Sequence, residues 1–361
     1  MIPGLEDTNV RGVEPLVSPR ALKARLPSDR ALAARILRFR EEIRDILHGR
    51  DRHRLLAVVG PCSIHDPNAA LDYARRLREV AEASRERLLI LMRTYFEKPR
   101  TAVGWKGLLN DPRLDGSCDV RGGLHAARRV LLEIGRLGLP CATEFLDPIT
   151  PAFLADLVSW ASVGARTIES QTHREMASGL SMPVGLKNPT DGNLTVVRHA
   201  LVAAAHPHSF LGVGPDGATS VIHTTGNRDC HLVLRGGAAG PNHGADHIDR
   251  AIELIREVAP ARAVMVDCSH DNSGKNHERQ GAVCREVLRA VADGREEVCG
   301  VMLESHLEPG RQPWEPGLPL RYGVSITDAC IGWEETRDLL AEIEACAACR
   351  GPVTARAGVA G

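Results

Sequence analysis

A closed parallel (β/α)8 barrel is the fold the sequence predicts, on three observations. Eight short aliphatic or β-branched runs recur along the chain, at 55–59, 88–93, 141–145, 162–167, 184–187, 231–235, 263–267 and 298–303. Segments of helical period follow most of them, at 69–83, 123–137, 151–161, 194–205, 247–258 and 281–292. No G-x-G-x-x-G turn follows the first run, which disfavours the competing open, doubly wound sheet. Near-continuous apolar strands alternating with helices suit a parallel sheet buried on both faces and closed on itself.

A plain barrel takes roughly 250 residues, so a chain of 361 carries additions. Residues 1–54 read as a helical extension with a regulatory or assembly role. Ser18-Pro19 pairs a capping hydroxyl with proline at the first helical position. Ser28 is placed to cap a second helix, whose Leu32, Ile36, Phe39, Ile43 and Ile46 make one apolar face and which Gly49 ends. Residues 55–345 form the catalytic barrel. Within it, 208–225 read as an inserted hairpin, with strands at 209–213 and 218–224 around Gly214-Pro215-Asp216-Gly217. Residues 346–361 form a tail, rich beyond Arg350 in Gly, Ala, Pro and Val and expected to be loose.

Hydrophobic residues make up 43% of the chain and aromatics 3%, so Leu, Val, Ile and Ala must build the core. With 45 basic against 46 acidic residues the formal net charge is −1, and no global field favours nucleic acid or membrane. No apolar run reaches the about 20 residues that span a bilayer. The N-terminus is acidic and lacks the apolar stretch of a signal peptide. Ten scattered cysteines read as reduced thiols. A cytoplasmic protein is expected.

In such barrels chemistry sits beyond the C-terminal strand ends. There the sequence places Arg93, Lys98, Arg100, Arg166, Lys187 and Arg235, six cations on one rim without an acid for each. Convergent like charge calls for anionic ligands, and the arginine fork suits phosphate and carboxylate. Two phosphates, on one ligand or two, would match the number. Cys62, His270, Glu304 and Asp328 follow strands one, seven and eight, which become neighbours if the barrel closes. A thiolate, an imidazole and two carboxylates suit Mn, Fe, Co or Zn. Their spacing carries no metal signature, and without closure they would be a buried cysteine and ordinary loop residues. Cys346-Ala347-Ala348-Cys349 has C-x-x-C spacing but no second pair nearby. His65 either lines the site or serves the start of the next helix. His223 and His243 carry no specific signal.

The motifs carry a resemblance. They are Gly60-Pro61-Cys62-Ser63-Ile64-His65-Asp66, Phe96-Glu97-Lys98-Pro99-Arg100-Thr101, Gly104-Trp105-Lys106-Gly107, Gly164-Ala165-Arg166-Thr167, Gly179-Leu180-Ser181, Leu234-Arg235-Gly236-Gly237, Asp267-Cys268-Ser269-His270 and Ser325-Ile326-Thr327-Asp328 with Ala329-Cys330-Ile331-Gly332-Trp333. In this order, from about residue 5 to about residue 340, the chain resembles the class I 3-deoxy-D-arabino-heptulosonate 7-phosphate (DAHP) synthases of the microbial subgroup regulated by aromatic amino acids.

The resemblance implies a barrel with an N-terminal extension and an inserted two-stranded sheet, assembled as homodimers or homotetramers. It implies an aldol-type condensation of phosphoenolpyruvate with erythrose 4-phosphate, dependent on one divalent metal ion. Cys62, His270, Glu304 and Asp328 are then the metal ligands. Arg93, Lys98, Arg166, Lys187, Arg235 and the Gly164-Ala165 backbone hold phosphoenolpyruvate. Lys98-Pro99-Arg100-Thr101 cradles erythrose 4-phosphate, with Arg100 on its phosphate. Lys98 is the proton donor, and Glu144 lies beside the attacking water. An effector pocket is implied at Glu6, Asp7, Pro151, Ser181, Gly212 and Val221, with tyrosine placed ahead of phenylalanine because Gly212 leaves room for a phenol hydroxyl. Cys268, Pro189 and Pro148 depart from the family's common residues without removing a proposed catalytic group. The competing readings are a synthase of the 3-deoxy-octulosonate 8-phosphate type and a catalytically silent barrel that senses an amino acid.

Overall fold

The computed structural model describes residues 5–315 and 317–350, and the expected loose tail beyond Arg350 lies outside them. Two helices lead, α1 (Pro19–Arg25) and α2 (Arg30–Leu47). Then come β1 (Leu55–Gly60), α3 (Pro67–Ala83), β2 (Leu88–Arg93), α4 (Val120–Leu137), β3 (Cys141–Glu144), α5 (Thr150–Leu154), β4 (Trp160–Val163), α6 (Gln171–Gly179), β5 (Val184–Lys187) and α7 (Leu194–Ala204). The hairpin β6 (Ser209–Val213) and β7 (Thr219–His223) precedes β8 (Cys230–Leu234), α8 (Ala245–Val258), β9 (Val264–Asp267), α9 (Gln280–Ala292), β10 (Val298–Glu304) and α10 (Trp333–Ala348). Eight parallel strands close in the order β1-β10-β9-β8-β5-β4-β3-β2, and β6-β7 form a separate antiparallel sheet. The barrel and its insert are those the sequence predicts. α10 runs past the expected boundary at 345.

Strand alternation sorts every strand into two faces. Leu55, Ala57 and Val59 of β1, Leu88, Ile90 and Met92 of β2, and Val184 and Leu186 of β5 face the helices. The other parity faces the barrel axis: Leu56, Val58, Leu89, Leu91, Ala142, Trp160, Val233, Met265 and Met302 fill the interior. One further step along that parity reaches Arg93, Glu144, Lys187, Arg235, Asp267 and Glu304. The apolar interior therefore ends in a charged layer at the C-terminal mouth.

The opposite end is sealed by α2. Ile43, Ile46 and Leu47 join the interior cluster against Leu56, Leu89 and Ala263. Buried Arg40 donates from Nε to the Val158 carbonyl at 3.0 Å and from Nη2 to Val158 and Ala155. Arg44 and His48 both meet Asp229 before β8. These bonds tie the helix to loops that enter the barrel from below.

Three sequence expectations shift. Ser18 caps α1 as predicted, accepting from the Ala21 amide. Asp29, not Ser28, caps α2: its carboxylate accepts from the Leu32 amide at 2.8 Å. The helix expected over 151–161 is cut to α5 and a following 3-10 turn, Ala155–Leu157, because β4 starts at Trp160, paired with Ala142. Leu154, Leu157 and Ala161 have helical spacing, but pairing with β3 claims the last residues. Gly164, Ala165 and Arg166 consequently follow β4 rather than lying within it.

Gly185 tests interior packing. A β-carbon there would lie 2.3 Å from Trp160 Cζ2 and 2.7 Å from Val233 Cγ2. Overpacking of this kind costs about 1–3 kcal/mol. Gly185→Ala is expected to lower the urea midpoint accordingly with an unchanged m-value, measured by tryptophan fluorescence.

Candidate active site

The mouth opens into a cavity of about 710 Å³ lined by Tyr95, the Lys98–Pro99–Arg100–Thr101 run, Glu144, Arg166, Lys187, Arg235, His270, Glu304 and Asp328. Closure decides what meets there. Gly60 of β1 lies opposite Glu304 of β10. This brings Cys62 Sγ within 3.5 Å of Asp328 Oδ2 although the two are 266 positions apart. Cys62, Glu304 and Asp328 offer donor atoms all within 4.8 Å of one another. His270 adjoins this group, with Nε2 3.8 Å from Glu304 Oε1. Four donors drawn from three strand ends thus face one space, and the set fits a divalent transition metal.

The thiol's environment sharpens that fit. Burial, with Glu304 and Asp328 nearby, pushes the Cys62 thiol up to about 12, although Lys98 pulls the other way. Lys98 Nζ stands 3.0 Å from Cys62 Sγ. Burial alone would lower Lys98, but the thiol, Glu304 and Asp328 outweigh it and raise its pKa. Burial acts to raise Asp328, and Lys98 and His270 hold it below its ordinary value.

The expected ring of unpaired cations needs correction. Arg93, fully buried, donates to Glu304 Oε1 at 3.0 Å and lies over the Tyr95 ring at 4.0 Å. Lys187 Nζ is 3.4 Å from both Glu144 Oε2 and Asp267 Oδ2. Arg235 pairs with Asp271. Among the described residues only Arg100 and Arg166 of the six meet neither an acid nor the thiol, and both are exposed. A low-dielectric mouth cannot hold six uncompensated charges, so acids of the same strand parity and of the loops beyond balance the buried ones. Burial acts to raise Glu144, but Lys187, Lys98, His270 and Arg93 hold it below its ordinary value. Gly164 makes room for it: a β-carbon there would sit 2.5 Å from Glu144 Oε1.

The segment after β2 is a closed loop. The Lys98 amide donates to the Lys106 carbonyl at 2.8 Å, and the Leu109 amide to Phe96. Gly107, at φ 114°, lets the two sides meet, since a β-carbon would fall 2.1 Å from the Phe96 carbonyl oxygen. Glu97 anchors the loop on the Leu146 and Asp147 amides and Thr150. Pro99, Arg100 and Thr101 form its outer tip.

The effector candidates are distributed unevenly. Glu6 and Asp7 are exposed in the leading arm, and Pro151 lies in α5, against which α1 packs. The Ser181 carbonyl accepts from Arg44. Ser178 Oγ contacts Thr224 Oγ1 at 2.7 Å, seating the hairpin on α6. Gly212 pairs with Ser220, whereas Val221 pairs with Leu211. Gly212 and Val221 therefore face opposite sides of the hairpin. Ile222 shares the Gly212 side, where a β-carbon at 212 would meet its Cγ1 at 2.6 Å. Val221 is corrected to the exposed outer face.

Several working residues escaped sequence reasoning. Asp267 and Tyr95 adjoin the cations. Gln280 brackets Glu304, donating to its carbonyl and accepting from its amide. Asn188 accepts from the Arg235 amide and donates to Gly236. Ser63 Oγ and Thr327 Oγ1, 2.8 Å apart, join the loops that bear Cys62 and Asp328. Strand parity could have found Asp267; the others reveal themselves only through tertiary contact. Asp66, not His65, caps α3 by accepting from the Asn68 amide. His65 is buried with its ring 6.1 Å from that of His306. Cys346 Sγ faces the Leu288 carbonyl near the end of α10.

Fold and site together define a (β/α)8-barrel enzyme whose polar centre sits at the C-terminal strand ends. The chain belongs to the DAHP synthetase I family, whose model matches residues 29–341. It is 50% identical over 340 residues to the Tyr-sensitive phospho-2-dehydro-3-deoxyheptonate aldolase of Escherichia coli K12, covering 94% of this chain and 95% of that one. To the Phe-sensitive enzyme of the same organism it is 50% identical over 338 residues, covering 94% and 96%. The solved phospho-2-dehydro-3-deoxyheptonate aldolase of Francisella tularensis SCHU S4 superposes with a TM-score of 0.92 at 42% identity, covering 95% of this chain and all of that one.

A thiol near 12 is protonated at pH 8, whereas a metal ligand is a thiolate. Titrating a divalent metal into the metal-stripped protein at pH 8 is therefore expected to release about one proton per site from Cys62. Calorimetry in buffers of different ionisation enthalpy reads this, and Cys62→Ala is expected to abolish it.

Proposed function

We propose that this chain condenses phosphoenolpyruvate with D-erythrose 4-phosphate and water, giving 3-deoxy-D-arabino-heptulosonate 7-phosphate and phosphate, the first step of the shikimate pathway. One observation carries the reading: two cationic stations share one cavity with Glu304 and Asp328, the carboxylates that adjoin the Cys62 thiol. Lys98, Lys187 and Arg235 line the deep station, with Arg93 buried behind it on Glu304, and Arg100 on the loop tip forms the outer one. Relatives at 50% identity bear the name of this activity.

The chain's groups divide the work. Arg93, Arg166, Lys187, Arg235 and the Gly164-Ala165 backbone hold the phosphate and carboxylate of phosphoenolpyruvate. Pro99, Arg100 and Thr101 seat the acceptor, with the guanidinium on its phosphate. Fixing both substrates makes attack of the enol C3 on the aldehyde carbon effectively unimolecular. Cys62, His270, Glu304 and Asp328 would hold one divalent ion, which supplies Lewis acidity toward the aldehyde. Lys98, kept as an ammonium, donates a proton to the oxygen that becomes the new hydroxyl. Glu144, kept ionised, accepts a proton from the water that adds to C2. The C2–O bond to phosphate then breaks, and phosphate leaves with the electron pair.

Inhibition by an aromatic amino acid belongs to the same reading, tyrosine ahead of phenylalanine, and relatives named Tyr-sensitive and Phe-sensitive support it. The pocket would use Glu6, Asp7, Pro151, Ser181 and Gly212, with Ile222 in place of Val221. A homodimer or homotetramer is supported by the exposed Leu5, Val10, Val13 and Leu16 of the arm and by Leu211 and Val221 on the hairpin's outer face. Ten free thiols support a cytoplasmic setting.

Phosphate release on mixing both substrates with a divalent metal tests the activity. Erythrose 4-phosphate is expected to support it and arabinose 5-phosphate to fail; release with arabinose 5-phosphate alone would move the assignment to the octulosonate reaction. Cys62→Ala is expected to abolish metal-dependent turnover while leaving the circular dichroism spectrum unchanged. Arg100→Ala removes a charged phosphate contact worth roughly 1.5–3 kcal/mol. It is expected to raise the KM for erythrose 4-phosphate by about 10- to 100-fold, with the KM for phosphoenolpyruvate little changed. Assays with each aromatic amino acid are expected to show the strongest inhibition with tyrosine, and Gly212→Val is expected to relieve it.

A further inference from the structure

The deepest acid of the mouth is Asp267. It is fully buried at the end of β9, and neither the family motif nor strand-end chemistry gave it a task. Its Oδ1 accepts from the Ser269 amide at 3.0 Å and from the Ser269 hydroxyl at 2.6 Å. Its Oδ2 meets His270 Nδ1 at 3.0 Å and Lys187 Nζ at 3.4 Å. Ser269 Oγ also lies 2.7 Å from His270 Nδ1.

A count of protons fixes the histidine. A carboxylate held by an ammonium is acceptor-only, and a hydroxyl has one hydrogen. Ser269 gives its hydrogen to Asp267 Oδ1, so toward His270 it offers only a lone pair. Asp267 Oδ2 likewise offers only lone pairs. His270 Nδ1, 2.7 Å from a Ser269 oxygen that can only accept, carries the ring proton; Asp267 Oδ2 lies 3.0 Å from the same nitrogen, without hydrogen-bond geometry to it. Nε2, 3.8 Å from Glu304 on the side of the thiol–carboxylate cluster, is left with a free lone pair. The backbone of His270 sits at φ 54°, a left-handed conformation that a β-carbon disfavours, so surrounding contacts impose it.

We infer that Asp267, with Ser269, is a positioning residue that sets the Nδ1–H tautomer of His270 and aims its Nε2 at the metal. Outer acids of this kind fix ligand tautomer and raise ligand basicity. The inference rests on the reading of His270 as a metal ligand. Lys187 Nζ lies 3.4 Å from the same carboxylate, so a group proposed to bind phosphoenolpyruvate adjoins the acid that orients a metal-binding one. An amide at 267 would reverse the pattern: its NH2 would donate to Nδ1, drive the proton to Nε2 and occupy the lone pair the ion needs.

Calorimetric titration of metal-stripped, full-length protein with Mn(II) alone tests this without reference to turnover. Asp267→Asn is expected to weaken binding by roughly 10- to 100-fold. Ser269→Ala, which leaves Asp267 Oδ2 3.0 Å from Nδ1 and free to take up its hydrogen, should lose much less. Asp267→Asn binding as tightly as wild type, while His270→Ala loses the ion, would overturn the role of Asp267 alone. Retention by His270→Ala would overturn the ligand assignment and the inference with it. Should Asp267→Asn not fold, the wild-type protein still decides. A long-range proton–nitrogen spectrum of metal-free, histidine-labelled protein, with the His270 signal identified by its loss in His270→Gln, is expected to show Nδ1–H. An Nε2–H signal overturns the proposal.

Discussion

Parallel pairing of β1 with β10 is the contact on which the centre depends. Gly60 opposite Glu304 fixes the register, and Cys62, two residues beyond, inherits its position from it. The closure is supported beyond the strand ladder. The Ser305 amide donates to the Gly60 carbonyl, and the Ile331 amide to the Glu304 carbonyl. Gln280 holds Glu304 by both of its backbone groups. A slip of one residue would turn Glu304 outward and bring Leu303 into the mouth. The site therefore has the precision of a backbone ladder rather than that of a flexible loop.

The same alternation that places the charges also sets their cost. Arg93, Lys187, Glu144, Asp267 and Glu304 are buried. Each buried charge is strongly unfavourable alone, and losing one partner of a buried pair costs about 3–5 kcal/mol. The charged layer is tolerable because cations and acids interleave around it, and Tyr95 adds its ring face to Arg93 and Lys187. Such a layer is preorganised: its charges hold one another in place, so the proposed reaction would need little rearrangement of them.

Much of this was legible in the chain. Strand period and helix period gave the barrel, because both faces of a parallel strand are apolar until the mouth is reached. The Pro-Asp-Gly turn marked the hairpin, and the strand-end residues marked the site. Boundaries failed where two periods overlap, as at Leu157 to Ala161, where pairing with β3 wins over helical spacing. Charge balance was misread because the acids that neutralise Lys187 and Arg235 come from β3, β9 and the loop after β9, distant in sequence. The face of Val221 was misread because hairpin register assigns faces, and a motif comparison does not see register. Asn188, Gln280 and Tyr95 act through contacts that no local pattern encodes.

The plug formed by α2 has a consequence for traffic. With Ile43, Ile46 and Leu47 packed into the interior cluster, the described residues close the lower end of the barrel. Everything that enters must leave by the same doorway, over the tip that bears Arg100. In the proposed reaction, a ligand seated deep beside Lys187 would have to arrive before one seated at the threshold, and anything released at the floor would wait for the entrance to clear. The geometry of a stoppered tube thus dictates an order of events that no single residue specifies.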